Sequence, residues 1–228
     1  MAFKIDLVTP PEGLERIDSD TGRIYKRGDK VYRSVTSVLS KIGADRLDAW
    51  KASVGHDKAA GIARAAANRG TIVHKLCEDY LLGKSTNQPI MPIYLDDFKK
   101  AKQALDRHIR TIRGVELQLY SDELKAAGTI DLFCDWGISE IRETKKPIII
   151  PAIVDFKTKR TKTNPQVLKM HFIQETAYAI MVNELYNIFP ERLIIIALEQ
   201  DSPLPTIYEA RTVDYIDKTR QIFKSIEM

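Results

Sequence analysis

Apolar residues recur every three or four positions through most of the first hundred residues, which predicts a mainly helical region. One amphipathic helix is predicted over about residues 57–82, and Gly83 ends it. A second is predicted after a Pro-punctuated connection at 88–92, with an apolar stripe of Phe98, Ala101, Leu105, Ile109 and Ile112. Ahead of these helices, shorter patterns predict a small hairpin over 23–32 and short helical stretches around Val38 and Trp50.

From Gly114 onward the apolar residues follow the pattern of strands. Apolar and polar residues alternate over 115–119, and a second extended run covers 127–136. A third run, 148–156, is apolar almost throughout, as expected of a strand covered on both faces. We expect these three strands to form a meander, followed by a helix over 167–186, strands over 193–198 and 207–213, and a last helix that Asp214 caps.

These elements predict a mixed α/β chain that forms one compact domain of two regions. Residues 1–113 hold the hairpin and the helices, and residues 114–228 hold the sheet with its flanking helices. The composition, 44% hydrophobic and 29% charged over 228 residues, is that of a globular protein and excludes a disordered or fibrous chain. No long apolar run or targeting pattern is present, so we expect a soluble cytoplasmic protein that is not associated with a membrane.

Cysteine content and charge narrow the class of protein further. Cys77 and Cys134 are too few for a disulfide framework, a four-thiolate zinc site or an iron–sulfur cluster. The net charge is only +4, but residues 141–170 contain eight Lys or Arg against two acids. Such an excess suits a nucleic-acid surface, and it also suits a solvated loop face.

Three charged residues are predicted to meet on two neighbouring strands. Asp155 and Lys157 are two positions apart at the end of the third strand, so they share a face. In a meander, Asp131 of the second strand meets Asp155 across the pair. Two carboxylates can bind Mg²⁺ or Mn²⁺, and a neighbouring lysine can orient a metal-activated water for phosphodiester hydrolysis. For Asp155 and Lys157 alone, the alternative is a surface salt bridge.

Two helical pairs are candidates to complete the same site. His74 and Glu78 are four residues apart on one helical face, where they form either a metal-side pair or a hydrogen-bonded surface pair. Gln174 and Tyr178 share a face of the later helix, with His171 one turn earlier. Taken alone, the later pair would indicate helix–sheet packing.

Five short motifs carry a resemblance to a known family when they are read in order: SVTSVL, RGTIVHKLCEDYLLG, AAGTIDLF, IVDFKTK and QETAYA. With them the chain resembles the RecB-like branch of the PD-(D/E)XK nuclease superfamily, particularly small phage and mitochondrial single-strand-processing exonucleases. The resemblance implies a restriction-endonuclease-like αβββαβ core with a helical N-terminal wall. The chain departs from the family pattern in having Ile130 where the superfamily's name has Pro. It also has too few cysteines for the iron–sulfur cluster of several relatives.

The resemblance also implies roles for the strongest candidates. Asp131 and Asp155 match the aspartates that bind the catalytic metal, and Lys157 matches the lysine that assists the nucleophilic water. The helix motif that runs from Gly70 to His74 implies that His74 is a metal ligand.

Weaker roles are implied for residues around this set. Glu78 would bind the metal directly or through water, and Gln174 with Tyr178 would support the site and contact the nucleic acid. Phosphates are expected to contact residues beside the motifs: Arg69, Thr158, Lys159 and Arg160.

The function expected is that of a Mg²⁺- or Mn²⁺-dependent deoxyribonuclease, an exonuclease acting on single-stranded DNA or DNA ends in recombination, repair or replication. Its expected partners are that DNA and recombination or replication proteins. The resemblance to phage exonucleases implies a phage-encoded protein that acts in the host cytoplasm. Two alternatives stay open, a catalytically silent nucleic-acid-binding module of the same fold and a structure-specific endonuclease. The same site suits cleavage from a 5′ or a 3′ end.

Overall fold

The structure is a computed structural model that describes residues 3–19, 22–85, 89–138 and 148–226. Over these residues nine strands form one mixed sheet and six helices pack around it, which confirms the predicted α/β class. The strands are β1 (Lys4–Ile5), β2 (Glu15–Ser19), β3 (Gly22–Arg27), β4 (Lys30–Ser34), β5 (Ile109–Ser121), β6 (Ala126–Ile138), β7 (Ile148–Lys159), β8 (Arg192–Glu199) and β9 (Thr206–Arg211). The helices are α1 (Val35–Ile42), α2 (Ala44–Val54), α3 (His56–Leu81), α4 (Pro92–His108), α5 (Pro165–Tyr186) and α6 (Ile216–Ser225).

The centre of the sheet follows chain order. Strands β5, β6 and β7 form the predicted antiparallel meander. Strand β8 then adds parallel to β7, which requires a crossover that helix α5 supplies, and β9 closes this edge in antiparallel pairing. Helix α4, the meander, α5 and β8 together give the expected αβββαβ order.

Helices pack on both faces of the sheet. On one face α3 and α4 pack through residues such as Val73 and Leu105, and on the other α1, α5 and α6 pack through residues such as Val38 and Met181. Strand β8 contributes to both layers because its apolar side chains alternate between them. Among the described helices, none has both the length and the apolar character needed to cross a membrane.

Strand β5 begins five residues earlier than the sequence pattern predicts. Helix α4 ends at His108, and Ile109 already has an extended backbone, with φ −70° and ψ 134°. Ile109 and Ile112, assigned above to the helical stripe, instead pair with Trp136 and Cys134 of β6. Both isoleucines are buried, and burial is expected of them in a helix as well as in a strand. Only their pairing with β6 distinguishes the strand conformation from the helical one. Strand β5 therefore crosses the boundary that was predicted between the two regions.

The junction after β9 also differs from the prediction. The strand ends at Arg211, and Thr212–Asp214 form one turn of 3-10 helix instead of continuing the strand. Asp214 does not cap the last helix, because its carboxylate accepts a hydrogen bond from Arg211 at 2.6 Å and α6 begins only at Ile216.

The N-terminal strands leave a fork in the sheet beside β6. Strands β2, β3 and β4 form an antiparallel unit that contains the predicted hairpin. Strand β4 pairs with β6 only at Ala126 and Ala127, whereas β7 pairs with the same edge of β6 from Leu132 onward. Residues 128–131 therefore lie in the fork between β4 and β7, and the polar side chains of the sequence motifs gather there.

Candidate metal centre and active site

The site lies at a point on β5 and β6 where the alternation of side chains between the two faces of the sheet is interrupted. Leu117 packs in the α5 layer and Val115 in the α3–α4 layer, although residues two apart on a regular strand share a face. Between them Glu116 has a φ of 47°, in the left-handed region that non-glycine residues rarely adopt. The same change of layer occurs across Asp131 on β6, directly opposite. Both carboxylates thus sit at a local irregularity of the sheet.

A histidine and two carboxylates meet at this irregularity. One ligand atom from each of His74, Glu116 and Asp131 lies within 4.8 Å of the others. Two carboxylate oxygens and one imidazole nitrogen form a donor set that suits Mn²⁺ and also Mg²⁺, which keeps waters in its remaining positions. These three side chains can therefore hold one divalent cation.

His74 links helix α3 to the strands that carry the aspartates. Its Nδ1 lies 3.2 Å from Asp131 Oδ2, and its Nε2 lies 2.8 Å from the carbonyl oxygen of Phe156. Burial alone would lower the pKa of His74, but the Asp131 and Asp155 carboxylates outweigh it and raise the pKa to about 9. A cation bound here would replace the proton that His74 otherwise carries.

Asp155 and Lys157 lie beside this group, as their spacing predicts. Lys157 Nζ donates a hydrogen bond to Asp155 Oδ1 at 2.7 Å, and Asp131 Oδ2 accepts one from the amide of Phe156 at 3.0 Å. The second Asp155 oxygen, Oδ2, is buried and has no hydrogen-bond partner. Burial raises the pKa of Asp155 to about 6, with Lys157 opposing the rise and Asp131 adding to it. A bound cation would give this buried carboxylate oxygen the partner that it lacks.

Glu116 belongs to the candidate site although no sequence motif singles it out. Glu116 is exposed overall, but partial removal of its carboxyl from water and the nearby Asp131 carboxylate raise its pKa to about 7. A register count could have found it: pairing residues one to one outward from the turn after Ser121 places Glu116 opposite Asp131. Glu78, the predicted partner of His74, is not in the group, because its carboxylate pairs with Lys75 at 2.9 Å and Lys84 at 3.6 Å.

The later helix supports the site from behind. Tyr178 is only 3% exposed and its ring packs against Gly128, so it has no free face for a nucleotide. Gln174, one turn earlier, is half-buried. The buried position of Tyr178 leaves no room for contact with nucleic acid, and its support of the site stays a prediction.

The four residues expected to bind phosphate occupy different environments. Arg69 is buried, bonded to both carboxylate oxygens of Asp97 at 2.6 and 2.7 Å, and it also donates to the carbonyl oxygen of Lys159. Its guanidinium is therefore engaged inside the protein and does not face a phosphate. Thr158 and Lys159 are half-buried at the end of β7, whereas Arg160 is exposed just beyond them.

Comparisons with known proteins add little to this geometry. No protein-family model matches the chain, and no curated protein matches it in sequence. Among solved structures, the chain is similar to the crystal structure of SSO0001, with 15% sequence identity and a TM-score of 0.40 over 89% of this chain and 79% of that one. A TM-score this low establishes neither a shared family nor a shared activity.

Proposed function

We propose that the chain is a Mg²⁺- or Mn²⁺-dependent deoxyribonuclease that acts as an exonuclease on single-stranded DNA or DNA ends. The observation that best supports it is the convergence of His74, Glu116 and Asp131 beside Asp155 and Lys157. These five side chains come from α3, β5, β6 and β7, so only the assembled fold brings them together. The preference for single strands and ends is supported by the motif resemblance.

The residues present fit a divalent cation. His74, Glu116, Asp131 and Asp155 would hold it, and the unpartnered Asp155 Oδ2 supplies a ligand that the protein itself leaves unsatisfied. When bound, such an ion lowers the pKa of a coordinated water and offsets negative charge on the scissile phosphate.

Lys157 is suited to act as a cation at the scissile phosphate. Burial lowers its pKa, but Asp155 and Asp131 outweigh that effect and the net pKa is raised, so the side chain stays protonated at neutral pH. A protonated amine donates hydrogen bonds and does not accept the proton of water. We therefore assign Lys157 to orienting the attacking water and stabilising the developing oxyanion.

The segment after Lys157 provides basic groups for the DNA backbone. Arg160 and Lys162 are exposed and follow β7 directly. Lys159, between them and the site, is half-buried, and burial together with Lys157 lowers its pKa. Exposed cations placed next to the catalytic lysine can hold the phosphates that flank the scissile bond.

A single assay with purified protein tests the proposal. Linear single-stranded DNA labelled separately at each end is incubated with Mg²⁺ or Mn²⁺, alongside circular single strands and duplex. Stepwise loss from one end that spares circles is expected. Lys157→Ala is expected to abolish the reaction, while Lys218→Ala, at an exposed lysine of α6 that belongs to neither the metal centre nor the basic segment after β7, retains most of it.

Other outcomes of this assay identify the alternatives. Opening of circular single strands would show an endonuclease. Retained DNA binding with no cleavage of any substrate would refute hydrolysis and leave a catalytically silent binding module.

A further inference from the structure

Glu175 is a buried acid in the middle of α5 that belongs neither to the candidate metal ligands nor to the basic segment after β7. It is 1% exposed, and its Oε1 has no hydrogen-bond partner. Burial and the Asp155 carboxylate raise the pKa of Glu175 well above its usual range, with Lys157 opposing the rise and Asp131 adding to it. A buried carboxyl without a partner is costly to the fold, and this one lies within electrostatic reach of Lys157.

Lys157 has capacity for a second acceptor. Its ammonium group has three N–H donors, and one hydrogen bond, to Asp155 Oδ1, is formed in the structure. Asp155 and Lys157 are on the same face of β7 as Ile153, and that residue packs in the α5 layer. The lysine therefore points toward the helix that carries Glu175.

A metal ion would disturb the pairing of Lys157 with Asp155. A divalent cation draws on the Asp155 carboxylate as a ligand and repels the neighbouring ammonium group. A largely buried ammonium without an anionic partner is strongly disfavoured. Of the acids that act on Lys157, Glu175 is the one outside the candidate ligand set, and a cation at Asp155 and Asp131 would offset the negative charge that opposes ionisation of Glu175.

We infer that Glu175 is a positioning residue that takes over from Asp155 as the carboxylate partner of Lys157 when the metal binds. The inference rests on the proposed nuclease function. Glu175 would hold the ammonium group close to the attacked phosphate without itself touching metal or substrate. Asp155 would then be free to bind the cation, while Glu175 would hold the Lys157 ammonium group in place.

The other buried glutamate of the same sheet region behaves differently and provides a control. Glu199 is 5% exposed, but its oxygens accept hydrogen bonds from the amide of Thr163 at 3.3 Å and from the hydroxyls of Thr206 and Tyr208 at 3.0 and 3.4 Å. Those bonds explain Glu199 as a structural residue.

The test compares Glu175→Gln with Glu199→Gln, each an isosteric replacement of a carboxyl group by an amide. For each variant kcat and KM are measured on single-stranded DNA at saturating Mn²⁺, and Mn²⁺ affinity is measured by calorimetry. Glu175→Gln is expected to lower kcat at least ten-fold while KM and Mn²⁺ affinity change less than two-fold. Glu199→Gln is expected to lower the melting temperature with kcat of the folded protein nearly unchanged. Glu175→Asp, which keeps a carboxyl group, is expected to retain more of kcat than Glu175→Gln.

Several results would overturn the inference. Unchanged kcat in Glu175→Gln would remove any role in catalysis, and a loss of Mn²⁺ affinity equal to the loss of kcat would make Glu175 a metal ligand instead. Higher kcat in Glu175→Gln than in Glu175→Asp would also contradict it. If the wild-type protein cleaves no DNA, the proposed nuclease function is refuted. If the wild type is active, Lys157→Ala is inactive and Glu175→Gln is fully active, the nuclease function stands and only the Glu175 inference fails.

Discussion

The ring of Tyr178 on α5 occupies the space where a side chain at Gly128 of β6 would lie. A Cβ atom on Gly128 would lie 2.7 Å from Tyr178 Cε1 and 2.9 Å from the Tyr178 hydroxyl oxygen. Gly128 belongs to the motif AAGTIDLF and Tyr178 to the motif QETAYA, so their contact packs these two motifs against each other. The tyrosine ring rests on the bare backbone three residues before Asp131, so it sets how closely α5 approaches the strand that carries this aspartate.

Replacing Gly128 with alanine is expected to destabilise the protein. The new methyl group must displace a buried ring or the strand, and overpacking of this kind costs about 1–3 kcal/mol. Gly70→Ala is the matched control, because a Cβ there meets only Thr158 Oγ1, at 3.8 Å. Thermal unfolding should show a lower melting temperature for Gly128→Ala and an equal or higher one for Gly70→Ala, since alanine favours a helix. Equal melting temperatures for the two variants would contradict the close contact.

Glu116 and Glu78 differ in their predicted effect on metal binding. Glu116→Gln removes a ligand charge beside Asp131, and we expect Mn²⁺ affinity to fall at least ten-fold. Glu78→Gln breaks only pairs with Lys75 and Lys84, so affinity should change less than two-fold. Calorimetric titration of both variants with Mn²⁺ shows whether Glu116, which lies near Asp131, or Glu78, which is four residues from His74 on one helix, binds the metal. A larger loss in Glu78→Gln would reverse that assignment.

The raised pKa of His74 predicts a pH-dependent stability of the metal-free protein. Its pKa in the folded protein, about 9, lies above the ordinary histidine value of 6.5, so protonated His74 stabilises the fold at low pH. This contribution, up to about 3 kcal/mol, is fully present below pH 6.5 and is lost as the pH rises through 9. Urea unfolding in EDTA should show the loss in wild type and a flatter dependence in His74→Gln. Parallel pH profiles for the two proteins would rule out the ion pair with Asp131 as its source.

Arg69 and Arg160 are predicted to act in different ways. Arg69→Met leaves Asp97, 1% exposed, without its partner, and breaking a buried pair costs about 3–5 kcal/mol. Arg160→Ala changes only an exposed side chain, so stability should hold while affinity for single-stranded DNA falls and its salt dependence weakens. Unfolding and DNA-binding measurements on both variants check this. Weaker DNA binding by a fully stable Arg69→Met protein would restore Arg69 as a phosphate contact.

Helix α4 and strand β5 show where local pattern stops being sufficient. The stripe from Phe98 to Leu105 predicts the helix correctly, because the 3.6-residue period is a property of the segment itself. Ile109 and Ile112 fit that period as well, yet they are strand residues. Their conformation depends on β6, a segment more than twenty residues later, whose backbone groups complete the ladder.

The sequence by itself determined the order of the main helices and strands, the closeness of Asp131 to Asp155, and the chemical types of the candidate ligands. Periodicity and strand spacing are enough for these, since they depend on neighbouring residues or on one strand pair. Only the tertiary structure decided that Glu116 joins His74, that Arg69 pairs with Asp97, and that Glu175 is buried within electrostatic reach of Lys157. Each of these relationships depends on burial and register between elements far apart in the chain, and no local pattern encodes which side chains the packing will bring face to face.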